Sequence, residues 1–349
     1  MKRKSIHEVM LETKGFSSGF DYLRLGLSTA VLFWHSYLTA YGLVAANNIA
    51  AQGVGYLTYW ILPMFFSLSG FLVASSLERT PTIRKFLWLR VIRIYPALTV
   101  EVILSALILG LLATTYKAKD YIADPEFHRY FLNVIGYIHY NLPGVFENNP
   151  YQKIVNGSLW TVPYELECYI ALALLAIIGL RKYPRAFLLI FLMITLGKTL
   201  SNIIFGYAQN SASNVSGRQL VAFFVGGVLI NLNRAIIPMS GLLGLVSFII
   251  GGCLLYSSEL VYMAIFPVAY VVVWLGLQRP RKIPIVMGGD YSYGIYLYAG
   301  PIQQSAAYWT DIGKTYAGNV ALAVVGVSIF SIFSWHTIEK PLLRFKKAF

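Results

Sequence analysis

Apolar residues along this chain gather into long runs, separated by short polar and often basic punctuation. The runs cover about 24–44, 56–77, 97–115, 158–180, 186–206, 218–233, 236–256, 260–277, 287–309 and 317–336. Most reach the roughly 17–25 residues that an α-helix needs to cross the hydrocarbon core of a bilayer. They are too long and too uniformly apolar for barrel strands, and lipid offers no hydrogen-bond partner to an open sheet edge. The pattern predicts an all-α, polytopic integral membrane protein with about ten transmembrane helices. The first run is also too long for the core of a cleaved signal peptide, so it is expected to stay in place.

Composition agrees. Of the 349 residues, 57% are apolar and 12% charged, and the mean hydropathy is +0.62. A soluble domain carries about a quarter charged residues, so lipid is the expected solvent. The net charge of +13 raises the possibility of nucleic acid as a partner, but its distribution argues against that. With the N-terminus in the cytoplasm, all but Lys117, Lys119, Arg129, Lys153, Lys198, Arg218 and Lys314 of the 28 basic residues fall on inner segments. Such asymmetry follows the positive-inside rule. It predicts both termini in the cytoplasm, which requires an even number of spans, and no nucleic-acid partner.

The two cysteines, Cys168 and Cys253, lie in predicted helices and imply no disulfide framework. No internal repeat is visible, so the expectation is one membrane domain over 1–349, with a cytoplasmic segment at 1–23. One long loop, 116–157, falls on the outer side, and loops of that length are commonly functional. Its aromatic stretch Tyr130–Tyr140 is too short to span and is read as lying at the interface or re-entering. Asn156-Gly-Ser and Asn214-Val-Ser match the glycosylation tripeptide, a pattern frequent by chance.

Several polar groups sit where hydrocarbon makes them costly. The stretch STAVLFWHSYLTAYG (28–42) carries His35 near mid-span. Arg24, eleven residues earlier, falls on nearly the same helix face about 16 Å away, with Ser28 and Thr39 on the same stripe. The plainer readings are a snorkelling arginine and an interhelix hydrogen bond. Arg90 and Arg93, in the inner loop after the second span, share a face if that piece is helical. Two guanidinium forks suit phosphate, although lipid headgroups would explain them too. Gly70 and Ala74 form a small-residue pair that lets helices approach closely. At the start of the fourth span Glu165, Cys168 and Tyr169 share a face. A carboxylate there can orient an imidazole or bind sugar hydroxyls, or simply sit in the field of a helix N-terminus. Tyrosines crowd the start of the ninth span, followed by Gln303 and Gln304, which are read as lining a cavity. Lys198 lies inside the fifth span.

Taken in order, these pieces resemble the membrane-bound acyltransferase-3 family from about Phe20 to Arg344. The matching stretches are Phe20-Asp-Tyr-Leu-Arg24 followed by His35, Phe66-Ser-Leu-Ser-Gly-Phe-Leu72, and Arg90-Val-Ile-Arg93 before Tyr95-Pro96. Ser158-Leu-Trp-Thr-Val-Pro-Tyr-Glu165, Tyr291-Ser-Tyr-Gly-Ile-Tyr-Leu297 and Ile338-Glu-Lys-Pro341 follow. The resemblance implies an O-acyltransferase, most simply an O-acetyltransferase, with acetyl-CoA (acyl-CoA) as co-substrate, no metal, and a surface or exported saccharide as acceptor. It places the chain as a multi-pass protein of the bacterial cytoplasmic (inner) membrane. It also implies His35 as the catalytic residue, Arg90 and Arg93 as the CoA-phosphate site, and Arg24 and Glu165 as matches to the family's accompanying arginine and acid. Many members carry a histidine shortly after the Tyr-Leu of the ninth span, where this chain has Tyr298-Ala299.

Within that frame His35 is expected to act as general base on an acceptor hydroxyl, with an acyl-histidine intermediate as the competing mechanism. Glu165 is expected to hold His35 or orient the acceptor. The pantetheine arm is expected to reach His35 between the first and second spans. Trp160, Tyr164 and Tyr169, together with the 116–157 loop, are expected to contact the saccharide. The competing class is transport, with His35, Glu165 and Lys198 forming a proton relay; the missing repeat symmetry counts against it. A third reading is an acyltransferase-like scaffold without turnover.

Overall fold

The structure, a computed structural model, describes residues 4–12, 17–50, 52–206, 215–284 and 288–347. Lys2, Arg3 and Lys14 of the inner basic set, and the Asn214-Val-Ser tripeptide at Asn214, lie outside the described residues. Among the described residues there is no β-strand, only two isolated bridges, Ser5 with Pro238 and Thr114 with Val145.

A short helix, α1 (Ile6–Glu12), leads into α2 (Ser18–Ala50), α3 (Thr58–Arg79) and α4 (Ile83–Leu104). After the 116–157 segment come α5 (Val162–Ile177), α6 (Pro184–Phe205), α7 (Gly217–Leu232), α8 (Gly241–Tyr256), α9 (Ile265–Gly276), α10 (Ser292–Trp309) and α11 (Tyr316–Ser334). Every apolar run predicted from the sequence coincides with one of these helices. Among the described residues five helical stretches are long and apolar enough to cross a membrane: Gly55–Arg79, Ile83–Ala113, Gly157–Ile177, Pro184–Phe205 and Tyr316–Phe345. Gly217–Leu232, Gly241–Tyr256 and Val261–Gly276 are apolar but shorter. The chain is a helical membrane protein.

Helix α6 is built inside out. Its Leu189, Ile190, Met193, Leu196, Leu200, Ile203 and Ile204 are exposed, whereas Thr195, Thr199 and Asn202 are buried. In water that arrangement would expose a large apolar patch; in lipid the apolar face meets its own solvent, and polar groups gain by turning inward.

The chain packs as two compact units, each assembled from separated pieces. The first comprises Met1–Leu27, Gly53–Leu87 and Glu167–Met287. Its centre is the contact of α3 with α7. A Cβ on Gly70 would stand 1.9 Å from the Phe224 carbonyl oxygen, and one on Gly227 would stand 2.1 Å from that of Ser67. The two backbones touch because neither residue has a side chain. Asn231 ties the same pair, donating to the Phe71 carbonyl at 2.9 Å and to Ser75 Oγ at 2.7 Å. Gly70 thus finds its tight partner in α7, the sixth apolar run. The α1 segment docks by backbone bonds from Ile6 to Ile237 and from Met239 to Lys4.

The second unit comprises Ser28–Gln52, Trp88–Leu166 and Gly288–Phe349. Leu32, Ala299, Ala323 and Val327 form an apolar cluster that joins α2, α10 and α11. Gln303 is fully buried and donates to the Leu32 carbonyl and to Ser36 Oγ, both at 2.7 Å. Gln304 donates to the Tyr151 and Ile154 carbonyls while accepting from Asn149. Helix α2 breaks at Gly42, whose φ of 81° and ψ of 174° are non-helical. That break falls near the predicted end of the first span.

Helix α4 starts well before the predicted span, so Arg90 and Arg93 are helical residues and not part of a loop. Beyond Leu104 it widens into a π-helical turn at Ser105–Leu109. The 116–157 segment folds onto that turn. Its helices Ala118–Ala123 and Pro125–Tyr130 bury Tyr121 and Tyr130 completely, and Tyr121 Oη donates to the Ala106 carbonyl at 2.7 Å. Burial pushes the Tyr121 phenol above its ordinary range, which keeps it a donor. Asn133, also buried, exchanges two 2.8 Å bonds with the His139 backbone.

Candidate functional site

The second unit carries His35, Arg90, Arg93, Trp160, Tyr164 and Glu165; Arg24 and Tyr169 belong to the first. His35 sits on α2, half-buried, one residue before Ser36, which Gln303 grips. Its Nδ1 lies 3.2 Å from Ser158 Oγ. Which atom donates depends on the tautomer. With Nδ1–H donating to the serine, the lone pair stays on Nε2, the arrangement a general base needs. The sequence reading has Glu165 holding His35 or orienting the acceptor; the residue at Nδ1 is Ser158.

Ser158 is itself fixed from several sides. Asn156 begins the 3-10 turn Gly157–Thr161 that leads into α5, its Oδ1 accepting from the Ser158 amide at 3.1 Å. Tyr296 donates to the Ser158 carbonyl at 3.0 Å and shares a 2.7 Å bond with Thr161. Asn156 is fully buried, and its amide nitrogen donates to Glu101 and to the Leu297 carbonyl. In this fold the Asn156-Gly-Ser tripeptide is therefore internal and presents no side chain for glycosylation.

Arg90 and Arg93 are one turn apart on α4 and half-buried. The Arg93 fork is occupied: Nη2 lies 2.8 Å from Asp290 and Nη1 lies 3.1 Å from Glu339, whose side chain is only 3% exposed. The Tyr293 ring lies 5.5 Å beneath the guanidinium carbon. Ser292 supports Asp290, and Ser334 supports Glu339. Glu339 ends the second π-helical turn, Trp335–Glu339. Arg93 thus joins α4 to both ends of the α10–α11 pair.

Trp160 and Tyr164 are half-buried, with ring centroids 6.0 Å apart and nearly perpendicular. Tyr169 is buried, its ring edge-on to Phe224 at 6.2 Å. Lys198 is exposed on α6, so it does not face an interior as a relay residue would. Ala299 sits in the apolar cluster with Leu32, Ala323 and Val327, and the position where many family members carry a histidine is here part of the packing. Among the described residues no three His, Cys, Asp or Glu side chains gather as a metal-ligand set.

In the 116–157 segment a cavity of about 450 Å³ is lined by residues that include Tyr116, Glu126, Arg129, Asn141 and Lys153. A neighbouring one of about 200 Å³ shares Glu126, Arg129 and Asn141 and adds His139 and Tyr140. The walls are tied in place: Thr115 donates to the Gly144 carbonyl, Lys153 to that of Phe146, and Val155 to that of Tyr140.

Sequence reasoning missed Ser158 as the partner of His35, and it missed Glu101, Asp290 and Glu339. Glu101 was readable as a lone carboxyl inside an apolar run. The other three lie far along the chain from the groups they serve; Ser158 and Glu339 stand inside stretches that carry the family resemblance, but nothing in their spacing points to those partners.

Residues 17–338 match the family model described as an acyltransferase domain. The chain is 26% identical to the O-acetyl transferase of Shigella phage Sf6, covering 94% of this chain and 96% of the other. It is 25% identical to nodulation protein 10 of Rhizobium leguminosarum bv. viciae, covering 96% and 95%. No solved structure matches.

Proposed function

The chain belongs to the membrane-bound acyltransferase-3 family, and on that premise we propose that it is an O-acetyltransferase using cytoplasmic acetyl-CoA and a saccharide acceptor. The observation that carries this reading is the His35 imidazole held through Nδ1 by Ser158 at 3.2 Å. In the proposed step His35 Nε2 takes the proton from an acceptor hydroxyl, and the oxygen attacks the thioester carbonyl carbon. The carbon–sulfur bond then breaks, and the leaving CoA thiolate recovers the proton from His35. General base catalysis of this kind contributes about 10²–10⁴-fold.

On the donor side Arg90 is the first candidate for a CoA phosphate. Arg93 has its fork on Asp290 and Glu339, so its contribution is to brace the helix that presents Arg90 and to add positive potential. Arg24 remains a separate candidate for phosphate contact. Glu165, not needed at Nδ1, is assigned to orient the acceptor hydroxyl. The cavities of the 116–157 segment offer carboxylate, amide, guanidinium and phenol groups on tied-down walls, a lining suited to sugar hydroxyls. Trp160 and Tyr164 add aromatic faces. In this reading the protein lies in a bacterial cytoplasmic membrane with both termini inside, so that donor and acceptor approach His35 from opposite sides.

The test is transfer of radiolabel from acetyl-CoA to a glycan extract by membranes containing wild type or His35→Ala at matched expression. We expect labelled glycan with wild type and a loss of at least about 10²-fold with the variant. Equal transfer by both would overturn the role of His35. No transfer by wild type, in an assay shown competent with other acyl-CoAs and acceptors, would overturn the activity.

A further inference from the structure

Glu101 is the unexplained group of the second unit. It lies on α4 and is fully buried. Its Oε1 accepts from Ser105 Oγ at 2.9 Å and from Asn156 Nδ2 at 2.8 Å, both neutral donors. Its Oε2 is buried and meets no donor. A carboxyl in a membrane-spanning helix is costly to keep and usually marks function.

What Glu101 controls is the direction of one amide. Asn156 has one polar face turned to two acceptors, Glu101 Oε1 and the Leu297 carbonyl at 2.9 Å, and the other turned to the Ser158 N–H at 3.1 Å. Rotated end for end, the amide would set its oxygen against those acceptors and its nitrogen against the N–H. Glu101 Oε1 presents an acceptor to that face, which favours the first orientation. Helix α10 is shaped around this link: a Cβ on Gly300 would lie 2.6 Å from Asn156 Oδ1. From Asn156 the path runs through the Ser158 backbone to Ser158 Oγ and on to His35 Nδ1.

We propose that Glu101 is a positioning residue for His35, locking the Asn156 amide so that Ser158 holds the imidazole in one tautomer with Nε2 presented to the reacting groups. The catalytic part of this proposal rests on His35 being the base; the positioning part does not. The π-helical turn that begins at Ser105, directly after the α4 turn carrying Glu101, fits such a role, since π-bulges are frequent at functional sites.

The experiment uses full-length protein in lipid bilayers with 15N-labelled histidine, observed by solid-state NMR. The five histidines are sorted by the signal lost in His35→Gln. We expect one tautomer for His35 in wild type and in Glu101→Gln, whose amide oxygen can still accept from Asn156. Glu101→Met is expected to give mixed tautomers. In parallel, Glu101→Met should lower kcat by about 10²-fold, the scale of a small misplacement of a reacting group, with KM for acetyl-CoA unchanged, and Glu101→Gln should recover most of it. If Glu101→Met does not accumulate folded, Asn156→Ser shortens the same link and carries the same expectation. A single unchanged His35 tautomer in the folded variant, or unchanged kcat, overturns the proposal. Absence of transfer by wild type would overturn the acyltransferase reading, while the NMR result would still decide whether Glu101 sets His35.

Discussion

Arg93 and Arg90 are chemically identical and one turn apart, yet their surroundings assign them different work. Arg93 holds Asp290 and the buried Glu339. Truncating it leaves a buried carboxylate uncompensated, a change that costs about 3–5 kcal/mol where it has been measured. Arg93→Ala should therefore lower the unfolding midpoint of the detergent-solubilised protein by several degrees. Arg90→Ala should raise KM for acetyl-CoA roughly tenfold, the equivalent of about 1.4 kcal/mol. Thermal unfolding followed by fluorescence reads the first effect and donor titration the second. An unchanged midpoint for Arg93→Ala, or an unchanged KM for Arg90→Ala, would overturn the corresponding role. The sequence made both arginines visible through their spacing. It could not show that Arg93 is committed to carboxylates, because Asp290 and Glu339 come from the far end of the chain. His35 was visible for a similar reason, as an ionisable group amid hydrocarbon. Ser158 was not, since a serine in a helix start carries no cost that would mark it.

At the level of elements, the hydropathy pattern located helices well and their starts poorly. Helix α4 begins at Ile83, before the apolar run from 97, because Arg, Lys and Leu are good helix formers. Hydropathy registers where lipid begins and not where the helix does. Packing partners were only half legible: Gly70 announced a close approach, but its partner α7 emerged only from the fold. Since apolar helices gain little from the hydrophobic effect against lipid, such contacts rest on close packing and polar ties. At α3–α7 the backbone meets where Gly70 and Gly227 lack side chains. Gly227→Val would force a branched side chain to within 2.1 Å of the Ser67 carbonyl and must push the helices apart. We expect this variant to lose folded yield and several degrees of thermal stability in size-exclusion and unfolding assays. Val228→Ala, one residue on and buried, removes atoms instead of adding them and should cost less. Equal behaviour of the two would mean that the Gly227 contact does not hold the pair.

For the whole molecule the decisive quantity is topology, because the proposed chemistry needs a donor and an acceptor on opposite sides of one histidine. Among the described residues five helical stretches satisfy length and hydropathy on their own. Helices α7, α8 and α9 are apolar but shorter, while α2 and α10 carry more polar groups. Ten crossings therefore rest on two further arguments: each of these helices falls on a predicted run, and the basic residues sort strongly to one side when all ten runs cross. Loss of any one would exchange the sides of every later segment and lower the share of basic residues on the inner side. Single-cysteine labelling tests this directly, starting from a background in which Cys168, buried, and Cys253, exposed on α8, are replaced by alanine. With a membrane-impermeant maleimide applied to intact cells, we expect Lys119→Cys and Glu147→Cys to be labelled at once. Lys85→Cys and Arg281→Cys should be labelled only after permeabilisation. Labelling of residue 85 from outside would invert the arrangement, and it would put Arg90 and Arg93 on the wrong side for a cytoplasmic nucleotide thioester. Residue 281 labelling from outside while 85 stays protected would instead mean an odd number of crossings between them. The cavities around Arg129 and the arginines of α4 would then still face opposite compartments, but both termini could no longer lie in the cytoplasm.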